Sequence, residues 1–158
     1  MTTDIVTTNQ SSAEITADSF KLLEKQAKIL AKSSFVPAQY RGAAKEGDII
    51  AAAMYGRSVG LDVMQSLCKI HVVNGKPALD AATMNALVRQ QGHSLQVVVL
   101  DDDKCTVTGT RADTKDTATF TFTYAMAQAA GLDGKDVWKN YRQAMLFARA
   151  SSQLNRIL

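Results

Sequence analysis

Ile70-His71-Val72-Val73-Asn74-Gly75-Lys76-Pro77-Ala78-Leu79 is the stretch that decides the fold. Two short runs able to form strands flank Asn-Gly, the pair favoured in a two-residue hairpin turn because its central positions take positive φ. The stretch predicts a β-hairpin with a basic rim, Lys69, His71 and Lys76 facing outward. Pro77 lacks an N–H, so the second arm is an edge or ends early.

Helical signals precede the hairpin. Asp18 is the expected N-cap of a helix running to about Ser34, with Phe20, Leu23, Ala27 and Leu30 on one face. Lys21, Lys25, Lys28 and Lys32 form the other face, read as solvated with a minor share in any binding. Phe35 to Gly42 breaks this helix, and a second is expected from about Glu46 to Val59, where Ala51, Ala52, Ala53 and Gly56 permit close packing. Gly60-Leu61-Asp62 is a turn, and Asp62 caps a short helix through Met64, Gln65 and Leu67.

After the hairpin, Asp80 caps a helix in which Ala81, Met84, Leu87 and Val88 recur at helical spacing. Three strands follow, roughly Leu95 to Leu100, Cys105 to Arg111 and Thr117 to Tyr124, joined by short turns. Alternation in Val107, Gly109, Arg111 and in Phe120, Phe122, Tyr124 fits a sheet covered on one face. A short helix from Ala125 to Ala130 and a Gly131 stop lead to a long last helix. The expected class is α+β: two N-terminal helices, β-hairpin, helix, three-stranded antiparallel meander and a long C-terminal helix. With no repeat and no linker, residues 18–158 read as one core domain behind a flexible arm at 1–17, rich in Thr, Ser and Gln.

An apolar fraction of 46% with 21% charged residues is that of an ordinary globular chain of 158 residues. Cys68 and Cys105 lie far apart and outside any Cys-x-x-Cys spacing, so neither zinc nor a disulfide framework is indicated. The start lacks the basic and apolar regions of a signal peptide, and no apolar run is long enough for a bilayer, which leads to the expectation of a cytoplasmic protein with no membrane partner. The net charge of +3 is unevenly placed. Residues 21–45 carry six bases against one acid and residues 134–158 five against one, which argues for a polyanionic partner.

Lys135, Arg142, Arg149 and Arg156 recur at every seventh residue. On one continuous helix they would form a stripe drifting about 20° per step, with about 10 Å between charges. Lys139 lies near the same stripe, and Trp138, Met145 and Leu146 border it. Aromatics at helical spacing are more often core, so Trp138 reads as core, whereas Tyr141 is a candidate for contact with a base.

The residues resemble a family. Met54-Tyr55-Gly56, Gly60-Leu61, Met64-Gln65-Ser66-Leu67, the hairpin stretch and Met84-Asn85-Ala86-Leu87-Val88-Arg89 closely resemble the RecT-type single-strand annealing proteins of phages and prophages. Trp138-Lys139-x-Tyr141, Ala144-Met145-Leu146-x-Ala148-Arg149-Ala150 and Val36-Pro37-x-x-Tyr40-Arg41-Gly42 extend the likeness over about residues 20–158. The resemblance implies a protein of a bacterial host cell, of phage or prophage origin, similar in function to the lambda Red beta protein. It implies ATP-independent coating of single-stranded DNA, assembly into rings or helical filaments, and pairing of complementary strands through an annealed duplex intermediate. It also implies a 5′-to-3′ exonuclease and a host single-strand-binding protein as partners, although the extension beyond the equivalent of Leu158 that serves such contacts is expected to be absent.

Holding a strand extended with its bases free requires phosphate contacts rather than base-edge readout. The candidate grip is Lys69 and Lys76 on the hairpin with Lys139, Arg142, Arg149 and Arg156 at the end, supplemented by Tyr141. Arg57, Gln65 and Arg89 are added by their place in the resembling motifs. No cofactor or protein-bound metal is expected, although a divalent cation would assist pairing of DNA. The rival classes are a non-annealing nucleic-acid-binding or structural adaptor of the same fold, and a metal-dependent nuclease built on Asp101-Asp102-Asp103, which reads instead as a solvated turn. The chain shows no Ser-His-Asp or Cys-His arrangement and no Gly-x-x-x-x-Gly-Lys-Ser/Thr loop, and two isolated histidines, His71 and His93, do not make a metal site.

Overall fold

The computed structural model describes residues 16–158 with the exception of Asn74. The expected arm therefore lies almost wholly outside the described residues, as does the first of the two central turn residues. The chain forms two compact units that meet in sequence at Ala78 and Leu79.

The first unit begins with α1 (Ala17–Leu30), whose N-cap is Thr16 rather than the expected Asp18. Thr16 Oγ1 accepts the amide of Ser19 at 3.2 Å, and Asp18 instead places its charge in the first turn, where the helix dipole favours an anion. Short 3-10 turns at Ala38–Tyr40 and Ala43–Lys45 lead into α2 (Glu46–Ser58), and α3 (Val63–Lys69) follows. The cap of α3 is the expected Asp62, in a reciprocal arrangement. Its carboxylate accepts the Gln65 amide at 2.8 Å, and Gln65 Oε1 accepts the Asp62 amide at 3.1 Å. The hairpin forms as read, β1 (Ile70–Val73) pairing with β2 (Lys76–Leu79), and Gly75 takes the positive φ of 75° that the turn requires. The unit closes on Ala27, Ala31, Val36, Tyr40, Ile49, Ala52 and Leu67.

The second unit runs α4 (Ala81–Gln90), β3 (Gln96–Leu100), β4 (Lys104–Thr110), β5 (Thr117–Thr123), α5 (Tyr124–Ala129), α6 (Asp136–Asn140) and α7 (Arg142–Leu154). Asp80 caps α4 as expected, its Oδ1 accepting the Thr83 amide at 2.7 Å. The sheet is the antiparallel meander β3-β4-β5, with a bulge between Val97 and Val99. One face points Cys105, Val107 and Phe122 at α7, and Leu146, Ala150 and Leu154 of α7 are wholly buried there. Each such leucine contributes about 1.5–3 kcal/mol by leaving water. The other face is a ladder of threonine hydroxyls, with Thr106 facing Thr121 and Thr110 facing Thr117, each pair at 2.9 Å.

The α+β class and order of elements stand as read. The long last helix does not. Tyr141, at φ −135° and ψ 46°, interrupts it, leaving the five residues of α6 and the thirteen of α7. Trp138 is core, as read: it is 1% exposed and tilted against Phe122 with ring centroids 6.3 Å apart. The break gives it that position while leaving α7 free to lie across β4 and β5.

Candidate nucleic-acid interface

The break at Tyr141 divides the seven-residue row of cations. Lys135 occupies the N-cap position of α6, Arg142 opens α7, Arg149 sits on its exposed side, and Arg156 follows the helix end at Asn155. Arg142 and Arg149 alone share one continuous helix, about 10 Å apart along it and within about 20° of one another. The four-charge stripe is thus corrected to a pair on α7, because periodicity in a sequence runs unaltered through one non-helical residue.

What the break creates is a groove. Leu100, Asp102, Lys139, Asn140, Tyr141, Arg142, Gln143, Ala144 and Phe147 line an open depression of about 730 Å³. It brings together three of the expected residues, Lys139, Tyr141 and Arg142. Tyr141 is 66% exposed, and the Arg142 guanidinium lies 4.0 Å from the ring centroid of Tyr124, which fixes the charge at the groove wall. The first turn of α7 has no side-chain cap and no acid, so its amide dipoles add positive potential at the same end. One opposing charge is present, Asp102, whose carboxylate accepts Gln143 Nε2 at 2.9 Å.

The other expected residues divide between the units. Arg57, Gln65, Lys69 and Lys76 belong to the first, all exposed; Lys69 ends α3 just before β1, and Lys76 opens β2. Gln65 is engaged in the cap of α3. Arg89, in the second unit, donates from Nη2 to the Leu95 carbonyl at 3.2 Å and so ties α4 to the entry of the meander.

No family model, curated protein or solved structure matches the chain. The family expectation rests on the residues quoted for it.

The remaining candidates have local roles. Asp101 accepts the amides of Asp103 at 2.9 Å and Lys104 at 2.8 Å, and these bonds hold its carboxyl below the usual range while closing the turn between β3 and β4. His93 Nδ1 accepts the Ala112 amide at 2.9 Å. Among the described residues no group of three or more His, Cys, Asp or Glu side chains gathers as metal ligands, and no helix is long and apolar enough to cross a membrane. The sequence reading missed Tyr124 as the support of Arg142, and Asp102 with Gln143 as groove residues. These partners stand 18 and 41 positions apart in the chain, and no local pattern links them.

Proposed function

We propose that this protein binds single-stranded DNA through its phosphates and anneals complementary strands without ATP, acting as a self-assembling coat rather than as an enzyme. The observation that carries the reading is the groove at the start of α7, where Lys139 and Arg142 stand beside an exposed Tyr141. A phosphate there meets two cations and a helix end with open amides, and the neighbouring base meets an aromatic face. Of the groove's side chains able to meet a base edge, Gln143 and Asp102 already bind each other, so the cations are its stronger hold, which suits a strand that must leave its bases free for a partner. The RecT-like residues supply the second support, and with them come the proposals of ring or filament assembly, of an exonuclease and a host single-strand-binding protein as partners, and of a phage or prophage origin in a bacterial cytoplasm. No cofactor is assigned.

The test is annealing of two complementary labelled oligonucleotides without ATP across a salt series, beside a non-complementary pair. The expected result is accelerated pairing that weakens as salt rises, because cations that replace condensed counterions give a salt-dependent affinity. R142E/R149E should lose at least tenfold in single-strand affinity with its circular dichroism unchanged. Retained binding by that variant would take α7 out of the site, and binding without pairing would leave the adaptor reading.

A further inference from the structure

Positive charge is not confined to the segment that lines the groove. Residues 79–158 carry nine bases against eight acids, and residues 1–78 carry nine against seven. Within the first unit, α1 and the residue two beyond its end hold four of the nine bases, with Asp18 and Glu24 as the acids among them. Lys21, Lys25 and Lys28 lie within an arc of about 60° on the face opposite the buried Leu23 and Ala27, and Lys32 extends the row by one more turn. All four are exposed, and none has a hydrogen-bond or ion-pair partner among the described residues. Like charges three and four residues apart repel along a helix, and although Glu24 and Asp18 flank the row, an anion laid along the four lysines would relieve that repulsion.

The row has an apolar border. Leu22 and Ile29, two turns apart, are both exposed beside it. The loop after α1 then presents Phe35, 84% exposed, on a backbone that is held rather than loose. Arg41 donates from Nε to the Val36 carbonyl at 2.9 Å and from Nη2 to the Ser34 carbonyl at 2.7 Å, clamping the residue on each side of Phe35. Val36, by contrast, is completely buried, so the chain is anchored where Phe35 leaves it. An aromatic ring presented on a fixed loop loses little freedom on stacking, the property wanted in a platform for a base.

We infer that α1 and the Phe35 loop form a second single-strand site, with Lys21, Lys25, Lys28 and Lys32 as the phosphate rail and Phe35, Ile29 and Leu22 as the apolar side facing bases. The cations advance about 5.5 Å each along α1, wider than the 3.4 Å per nucleotide of a strand in B-DNA, and so suit a strand drawn out of its stacked form. A second copy of this chain is the poorer occupant, since a row of four lysines with no partner among the described residues meets a chain that is itself net positive. The inference rests on the reading of single-stranded DNA as ligand and adds a surface to it; an annealing protein gains from holding two strands at once.

The test is amine footprinting of the whole wild-type protein with an acetylating reagent, with and without a twenty-residue oligothymidylate, and with polyglutamate of equal charge as a second probe. Oligothymidylate should slow acetylation of Lys21, Lys25, Lys28 and Lys32 at least threefold while Lys104 and Lys115 are unaffected, and polyglutamate should protect them far less. F35A, which alters an exposed side chain, should weaken oligothymidylate binding about fivefold or more through the lost stack. The protection should persist in K139Q/R142Q. Absence of protection overturns the inference, even where strands are annealed; equal protection by polyglutamate, with F35A unchanged, overturns the assignment to a nucleic acid and points to an acidic protein. Protection in a protein that fails to pair strands overturns annealing and leaves this site standing.

Discussion

Gly56 faces Ser66 across the contact of α2 with α3, and a β-carbon added there would overlap Ser66 Oγ and lie 2.7 Å from Ser66 Cβ. Ser66 cannot swing away without cost, because its hydroxyl donates to the Asp62 carbonyl at 2.6 Å inside the first turn of α3. G56A should therefore lose about 1–3 kcal/mol of stability by overpacking, in spite of alanine's better helix propensity. Urea denaturation measures it, and the double variant G56A/S66G should lose less than the sum of its parts, since the two sites share one contact. Additive losses would mean that the helices shift apart instead of colliding. This position also shows what residue identity conveys early: the small residues of α2 announced a close helix approach in the sequence, but which neighbour approaches is a property of the folded chain.

At the scale of elements, Gln65 separates two explanations of the same residue. Its place in a RecT-like motif suggests a DNA contact, whereas its Oε1 is bound to the Asp62 amide in the cap of α3. Q65A should cost about 0.5–1 kcal/mol, read as a fall of a few degrees in Tm, and leave oligonucleotide affinity within twofold. A tenfold loss of affinity at unchanged Tm would restore the residue to the binding surface. Caps of this kind were legible because they span three residues: Asp62 and Asp80 both act where they were expected, while at α1 the choice between Thr16 and Asp18 turned on two acceptors of similar quality two positions apart. The hairpin and the meander were legible for the same local reason. The break at Tyr141 was not, because it serves a tertiary demand, the burial of Trp138 beside Phe122 while α7 covers the sheet. The groove was half legible in consequence. Lys139, Tyr141 and Arg142 stood out as cations and an aromatic, but the concavity they line exists only through the break, and its other walls come from Leu100 and Asp102 at the end of β3 and just beyond it.

For the whole molecule the question is whether DNA responds to placement of charge or to its sum. A net charge of +3 on 158 residues is a weak attractor, and at physiological salt a field from exposed charges fades over about 8 Å. Affinity should then depend on which cations are removed. K139Q/R142Q and K104Q/K115Q take away the same number of charges, the first pair from the groove and the second from the start of β4 and the turn between β4 and β5. With about 0.7 counterion released per phosphate neutralised, the groove variant should flatten the plot of log affinity against log salt by about 1.4, and the control by a few tenths. In affinity at 0.15 M salt the groove variant should lose about tenfold and the control less than threefold. Equal losses in both would mean that the strand follows net charge and that the concavity at Tyr141 has no special hold on it. Unequal losses would place the phosphates at the start of α7, where two cations, an open helix end and an aromatic face coincide within one wall of the second unit.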